Sequence, residues 1–151
     1  MGMELLEAIQ ADVKDAMRAR DTDRTTALRM FVAAVQNEAK TKLRDLSTEE
    51  QIAILSREKK KRVEAAELYD QGGATDKAAA ERSQIEMLDK YLPAQLGADE
   101  LAALVAEAVA ETGASSPKEM GAVMKALMPK VAGRADGKAV SAAVQAALST
   151  S

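Results

Sequence analysis

The sequence predicts an all-helical protein, and three observations lead to that prediction. Alanine, the strongest intrinsic helix former, accounts for 32 of the 151 residues. Aromatic residues, which favour strands, are limited to one phenylalanine and two tyrosines. Apolar residues also recur at spacings of three and four along most of the chain, as on one face of a helix. The core of such a protein must be thin and close-packed.

Two amphipathic helices are predicted in the first forty residues. The apolar stripe of the first consists of Leu5, Leu6, Ile9, Val13 and Met17. The stripe of the second consists of Leu28, Phe31, Val32, Val35 and Ala39. Spacings of three and four place each set on one helical face, which is then available to pack against a core.

A third and a fourth helix are predicted before residue 93. The segment Ser47-Thr48-Glu49-Glu50 is typical of a capping box, in which Ser47 and Glu50 satisfy the free amides of a helix start. This third helix should end at Gly72-Gly73, and the fourth should begin near Thr75. Four long helices with short connections predict an antiparallel bundle over residues 1–93.

Shorter helices are predicted after this point, because all three prolines and five of the eight glycines follow residue 92. The domain boundary should lie at Pro93 to Gly97, and a three-helix domain should occupy residues 97–151. Its first helix should end at Gly113. The second should begin at Ser116–Glu119 and kink or stop at Pro129, and Asp136 should cap the third.

Most familiar catalytic designs are excluded by composition. The chain has no histidine and no cysteine, which removes the most frequent general base, thiol nucleophiles, disulfides and the usual zinc sites. No phosphate-binding G-x-x-x-x-G-K-[ST] loop is present. Acidic pairs such as Asp12 with Asp15 are more typical of helix-dipole stabilisation than of catalysis. We therefore expect a binding protein with no catalytic residue, metal or cofactor.

The sequence also predicts a cytoplasmic protein that does not contact membranes. The first residues, Met1 to Leu6, lack the cationic region and apolar core of a secretory signal. No apolar run approaches the length that spans a bilayer.

The last part of the chain is a candidate nucleic-acid surface. The net charge is −3, yet the segment from Ser116 onward carries five cations and two anions, a local net charge of +3. The cations are Lys118, Lys125, Lys130, Arg134 and Lys138. Helical projection places Lys118 and Lys125 together on a polar face with Gly121 between them, so a phosphate could approach closely.

A structural alternative remains open for each of these residues. The lysines could be ordinary solvated charges, and Gly121 could permit close helix packing. The loop over residues 133–138 could be an anion cradle, but Asp136 would compete with a phosphate there, which favours a plain helix–turn–helix connection.

A second basic cluster lies in the third predicted helix. Arg57, Lys60 and Lys61 project away from the apolar stripe and form a second candidate RNA-binding patch, with a solvated helix face as the alternative. Lys59 projects onto the apolar stripe instead. We expect it to form a structural ion pair.

Several segments of the chain form a recognisable pattern. The C-terminal segments are Met120-Gly121-Ala122-Val123-Met124, Leu127-Met128-Pro129-Lys130-Val131 and Gly133-Arg134-Ala135-Asp136-Gly137-Lys138. Further segments are Leu28-Arg29-Met30 with Ala33-Ala34 and Asn37, and Tyr91-Leu92-Pro93 with Gln95-Leu96. Together they resemble the GatB/YqeY family, in particular its stand-alone YqeY-like branch. Gly97 departs from the serine or threonine cap expected in relatives, although glycine is an acceptable N-cap.

The resemblance implies a four-helix bundle followed by a three-helix bundle. It also implies a relationship to the tail of the B subunit of aminoacyl-tRNA amidotransferase, which engages tRNA, whereas the carbon–nitrogen ligase chemistry of that enzyme resides elsewhere. The implied function is a tRNA-binding or amidotransferase-associated accessory protein, with tRNA or amidotransferase components as partners. A helical protein–protein adaptor that binds no RNA is the alternative.

Overall fold

A computed structural model of the protein describes residues 3–131 and 133–149. These residues form seven α-helices and no strand, which confirms the all-α fold class. The helices are α1 (Met3–Arg18), α2 (Thr22–Lys42), α3 (Thr48–Gln71), α4 (Thr75–Asp89), α5 (Ala98–Thr112), α6 (Met120–Val131) and α7 (Gly137–Ser149). A single 3₁₀ turn, Pro117–Glu119, precedes α6.

The chain divides into two compact units, Met1–Leu92 and Pro93–Ser151. Helices α1 to α4 lie in the first unit, and α5 to α7 lie in the second. That these units are separately folding four-helix and three-helix domains, with bounds at 1–93 and 97–151, stays a prediction.

All four helices of the first unit contribute side chains to its core. Its largest fully buried side chains are Ile9, Leu28, Phe31, Leu55 and Leu88. The predicted stripe of α1 was wrong at Met17, which is 51% exposed. Met17 lies in the last turn of α1, where its sulfur accepts a hydrogen bond from Arg29 at the surface rather than packing in the core.

Glu50 closes the connection between α2 and α3. Its carboxylate accepts hydrogen bonds from Arg44 Nη1 and Nη2 at 2.8 and 2.9 Å, from Lys42 Nζ at 2.7 Å and from the Ser47 N–H at 3.0 Å. The Ser47 hydroxyl accepts from the Glu50 N–H, so the predicted capping box is confirmed. Leu43 ends α2 in the left-handed region, at φ 57°.

We expect Glu50→Gln to reduce the acid sensitivity of folding. Hydrogen bonds from Arg44, Lys42 and the Ser47 amide hold the pKa of Glu50 well below its ordinary value of 4.5. The stabilisation is therefore present above pH 4.5 and lost as the pH falls towards the folded-state pKa. Urea unfolding at several acidic pH values should show a steeper loss for the wild type than for Glu50→Gln. Parallel profiles of the two proteins would contradict this role, and Glu49→Gln is the matched control.

The second unit has a separate core of small aliphatic residues. Val123, Leu127 and Val131 of α6 are fully buried, as are Val140 and Val144 of α7. Of the two outcomes predicted at Pro129, the stop was wrong, because α6 continues to Val131, and the kink stays a prediction. Pro129 removes one hydrogen bond, but that loss falls in the last turn, where the buried Val131 anchors the helix end.

No helix within the described residues is long and apolar enough to cross a bilayer. The same part of the chain contains no group of three acidic side chains that could hold a metal ion.

Candidate nucleic-acid interface

The start of α6 places Lys118 on a fixed turn. The carboxylate of Glu119 accepts hydrogen bonds from the backbone N–H groups of Ser115 and Ser116. These bonds lower the pKa of Glu119, because they favour its charged form. The predicted start signal at Ser116–Glu119 is thus confirmed as a 3₁₀ turn that leads into α6. Glu119 is engaged by the backbone, so its charge is held at the helix start.

Lys118 and Lys125 lie on the polar side of this segment. Both are exposed, whereas Val123 and Leu127 are fully buried and fix the opposite face. Seven residues are about two helical turns, so the two lysines recur on one face about 11 Å apart along the axis. Within the described ranges, no carboxylate lies within 4.0 Å of either ammonium group. Both positive charges are available to an external anion.

Gly121 lies between these lysines and is exposed. A Cβ atom at this position would meet no atom within 4 Å among the described residues, so the alternative that glycine permits close helix packing was wrong. Glycine inside a helix costs about 0.5–1 kcal/mol relative to alanine. Packing among the described residues does not explain that cost.

Lys130 is engaged in two ion pairs at the protein surface. Its ammonium group donates to Glu111 Oε1 at 2.9 Å and to Glu107 Oε1 at 3.2 Å, both on α5. Hydrogen bonds from Lys130 to Glu111 and then Glu107 raise the pKa of the lysine. Arg134 lies 3.9 Å from Glu100 at the start of α5, a longer and weaker contact. These two predicted site residues therefore present less net charge than the sequence suggested.

The loop between α6 and α7 is held by the segment that follows Pro93. Gly133 adopts φ 74° and its carbonyl accepts from Gln95 Nε2 at 3.1 Å. The Leu96 N–H donates to the Arg134 carbonyl at 2.7 Å. The backbone N–H groups that an anion would need are also engaged, because that of Arg134 donates to the Val131 carbonyl at 2.8 Å and that of Lys138 lies 3.4 Å from Asp136 Oδ1. The geometry favours the helix–turn–helix connection over an anion cradle.

The charge of the second unit is close to neutral. Residues 93–151 contain six acidic and five basic side chains, so the acidic residues of α5 offset the basic segment from Ser116 onward. Lys118, Lys125 and Lys138 are the cations of this unit that have no carboxylate partner in the described part of the chain. We define Lys118, Gly121 and Lys125 as the α6 polar face.

The basic cluster of α3 is exposed but partly neutralised. Arg57, Lys60 and Lys61 all face solvent. Lys61 Nζ lies 3.3 Å from Glu58 of the same helix. Lys59 Nζ lies 2.7 Å from Asp89 of α4, which confirms the structural ion pair expected for it.

Sequence reasoning missed Arg62, the one buried cation among the described residues. Its Nε donates to Gln84 at 2.7 Å and its Nη1 donates to the Glu58 carbonyl at 2.9 Å. The guanidinium also lies 5.0 Å from the centre of the Phe31 ring, a cation–π geometry. The burial of Arg62 could have been predicted from spacing, because it follows the buried Leu55 by seven residues and so lies on the same helical face.

A polar contact joins α1 to the end of α4 and was also missed. The hydroxyl of Tyr91 donates to the carboxylate of Asp12, and Lys90 Nζ lies 2.9 Å from the same oxygen. The Tyr91 hydrogen bond and Lys90 lower the pKa of Asp12, although burial opposes this. Burial and then Asp12 raise the pKa of Tyr91 well above its ordinary value. Asp15 contacts Arg18 instead, so the two acidic residues do not form one site.

Comparison with protein families gives a match over nearly the whole chain. The family model described as Yqey-like protein matches residues 6–148. No curated protein matches the sequence significantly. The matched range contains α6, its polar face and the α3 cluster.

Proposed function

Because the chain belongs to the YqeY-like protein family, we propose that it is a tRNA-binding accessory protein associated with aminoacyl-tRNA amidotransferase and without a catalytic core. The resemblance to the tail of the amidotransferase B subunit supports tRNA as the partner. The absence of histidine and cysteine from the sequence supports a role in binding rather than in acyl or amide transfer. This proposal puts the protein in the cytoplasm, where tRNA is aminoacylated.

The observation that carries the proposal is the pair of unpartnered lysines on the α6 polar face. Lys118 and Lys125 are exposed, recur on one helical face and have no carboxylate within 4.0 Å in the described segments. Two such cations can each neutralise a phosphate and release its counterions. Gly121 leaves the surface between them open, since no side chain projects there.

The other predicted RNA-binding residues should contribute less to the affinity for tRNA. Lys138 is exposed near the start of α7 and adds a third charge without a carboxylate partner in the described chain. The other proposed contacts, which extend the RNA-binding surface in each unit, are Lys130, Arg134, Arg57, Lys60 and Lys61. Ion pairs reduce the charge that Lys130, Arg134 and Lys61 can offer to phosphates.

Titration with bulk tRNA tests the proposal. The wild type should bind at about 50 mM salt, and the double variant Lys118→Glu, Lys125→Glu should bind at least about tenfold more weakly. The control is Arg20→Glu, Lys77→Glu, which makes the same change in net charge at exposed positions of the first unit. Equal affinity of the two double variants, or no binding by the wild type, would overturn the proposal.

A helical protein–protein adaptor is the second candidate, favoured by two exposed leucines. Leu43 is 91% exposed and Leu68 is 66% exposed. Phe31 is fully buried and both tyrosines are partly buried, so the described chain lacks a fully exposed ring on which bases could stack. Co-purification before and after nuclease treatment separates the two functions. Loss of every partner on nuclease treatment would contradict the adaptor, and surviving partners favour it only if the purified protein does not bind tRNA.

A further inference from the structure

A groove with an apolar floor follows the line where α1 and α2 meet in the first unit. One end, with a volume of about 620 Å³, is lined by Val13 and Met17 of α1 and by Arg29, Val32 and Ala33 of α2. The other end, with a volume of about 430 Å³, lies beside Leu6, Ala39 and Leu46. Gln10 and Gln36 line both parts, so the two cavities adjoin along the helix pair.

The rim of this groove is cationic. Lys14, Arg29 and Lys40 line it, all three are exposed, and none has a carboxylate within 4.0 Å in the described part of the chain. Asp45 is the acidic residue that lines the far end. The first unit nevertheless carries more acidic than basic residues, so this excess of positive charge is local to the groove. An occupant with negative charges beside its apolar residues would complement it.

The dimensions of the groove match those of a short helix. From Leu6 to Met17 the floor extends along twelve residues of α1, and the eleven helical steps between them span about 17 Å or about three helical turns. An amphipathic helix that lies in such a groove contacts it through apolar residues at spacings of three, four and seven. Met17 has a flexible, polarisable side chain, is half exposed and can adapt to the residues that it meets.

We propose that the α1–α2 groove binds an acidic amphipathic helix of a partner protein. An RNA strand is disfavoured because the floor is aliphatic and offers no ring on which bases could stack. A second copy of this chain is disfavoured because its two exposed leucines, Leu43 at the end of α2 and Leu68 on α3, lie on different elements, and a single apolar side chain does not fill about three turns. This surface lies in the first unit and is separate from the α6 polar face in the sequence and in function.

Labelled synthetic peptides test the groove directly with the full-length protein. One peptide of about 18 residues carries leucines at spacings of three and four and glutamates elsewhere, and its control carries lysines in place of the glutamates. The acidic peptide should bind at least about tenfold more tightly than the basic peptide in fluorescence anisotropy. Equal affinity of the two peptides, or no binding of the acidic peptide, would overturn the proposal.

Variants localise the binding to the groove. Ala33→Glu places a carboxylate on the floor at an exposed helical position and should weaken the acidic peptide by about tenfold or more. Leu68→Glu is the matched control at an exposed site outside the groove, and should change the affinity by less than about twofold. Circular dichroism verifies that both variants are folded.

Two further readouts exclude the other occupants. A concentration-dependent dimer that Ala33→Glu abolishes would assign the groove to a second copy and overturn the proposal. Loss of bulk tRNA binding in Ala33→Glu would assign it to RNA and would also overturn it. Unchanged tRNA binding and unchanged mass in solution, together with loss of the acidic peptide, are the results that we expect. Failure of the peptide experiment would leave tRNA binding by the α6 polar face unaffected.

Discussion

Replacement of Arg62 by alanine is expected to lower the free energy of unfolding of the first unit by about 3 kcal/mol. The side chain is 8% exposed and donates hydrogen bonds to Gln84 and to the Glu58 carbonyl. Its loss would remove the packing against Phe31 and leave the partly buried Gln84 side chain without its partner. Urea unfolding followed by tyrosine fluorescence measures the effect, since both tyrosines lie in residues 1–92.

Two companion variants separate burial from charge. Arg62→Met keeps most of the side-chain volume and removes the charge. It should therefore lower the free energy of unfolding by about 1 kcal/mol less than Arg62→Ala does. Arg57→Ala, at an exposed position of the same helix, should change the stability by less than about 0.5 kcal/mol. Equal effects of Arg62→Ala and Arg57→Ala would show that Arg62 does not stabilise the core.

Replacement of Leu127 by alanine is expected to destabilise the second unit by about 3 kcal/mol while leaving the first unit unchanged. Leu127 is fully buried in the core formed by α5, α6 and α7. Circular dichroism reports helices of both units, whereas tyrosine fluorescence reports residues 1–92 alone. In urea unfolding of Leu127→Ala, circular dichroism should therefore show a partial transition at a lower urea concentration than in the wild type. The transition seen by tyrosine fluorescence should keep its wild-type midpoint.

The matched control for this experiment is Leu88→Ala in the first unit, where Leu88 is also fully buried. Leu88→Ala should shift the fluorescence transition to a lower urea concentration. The part of the dichroism transition that comes from the second unit should keep its midpoint. A shift of both signals together in Leu127→Ala would contradict the proposal that residues 1–93 and 97–151 fold as separate domains.

The fold was predictable where the determinants are local. Three local signals were identified from residue type and position, and each acts over a few residues: the capping box at Ser47, the start signal at Ser116 and the stop at Gly72. Pro129 was the exception, because whether the helix ends there depends on the burial of Val131, two residues further along the chain. Met17 was a second exception, because an apolar residue in the last turn of a helix, here α1, can lie beyond the edge of the core.

The candidate site was less predictable because its electrostatics depend on long-range partners. The exposure of Lys118 and Lys125 follows from the helical period of Val123 and Leu127. The pairing of Lys130 with Glu107 and Glu111 requires knowledge of how α5 packs on α6. The contact between Asp12 and Tyr91 joins residues 79 positions apart, which no local pattern specifies.

The salt dependence of tRNA binding tests the proposed function most directly. Each phosphate that a cation neutralises adds about 0.7–0.9 to the magnitude of the slope of log K against log salt concentration. The wild type should therefore show a slope of about −2, and Lys118→Glu, Lys125→Glu should reduce its magnitude by about 1.5. Identical slopes for the wild type and the double variant would contradict phosphate binding by the α6 polar face.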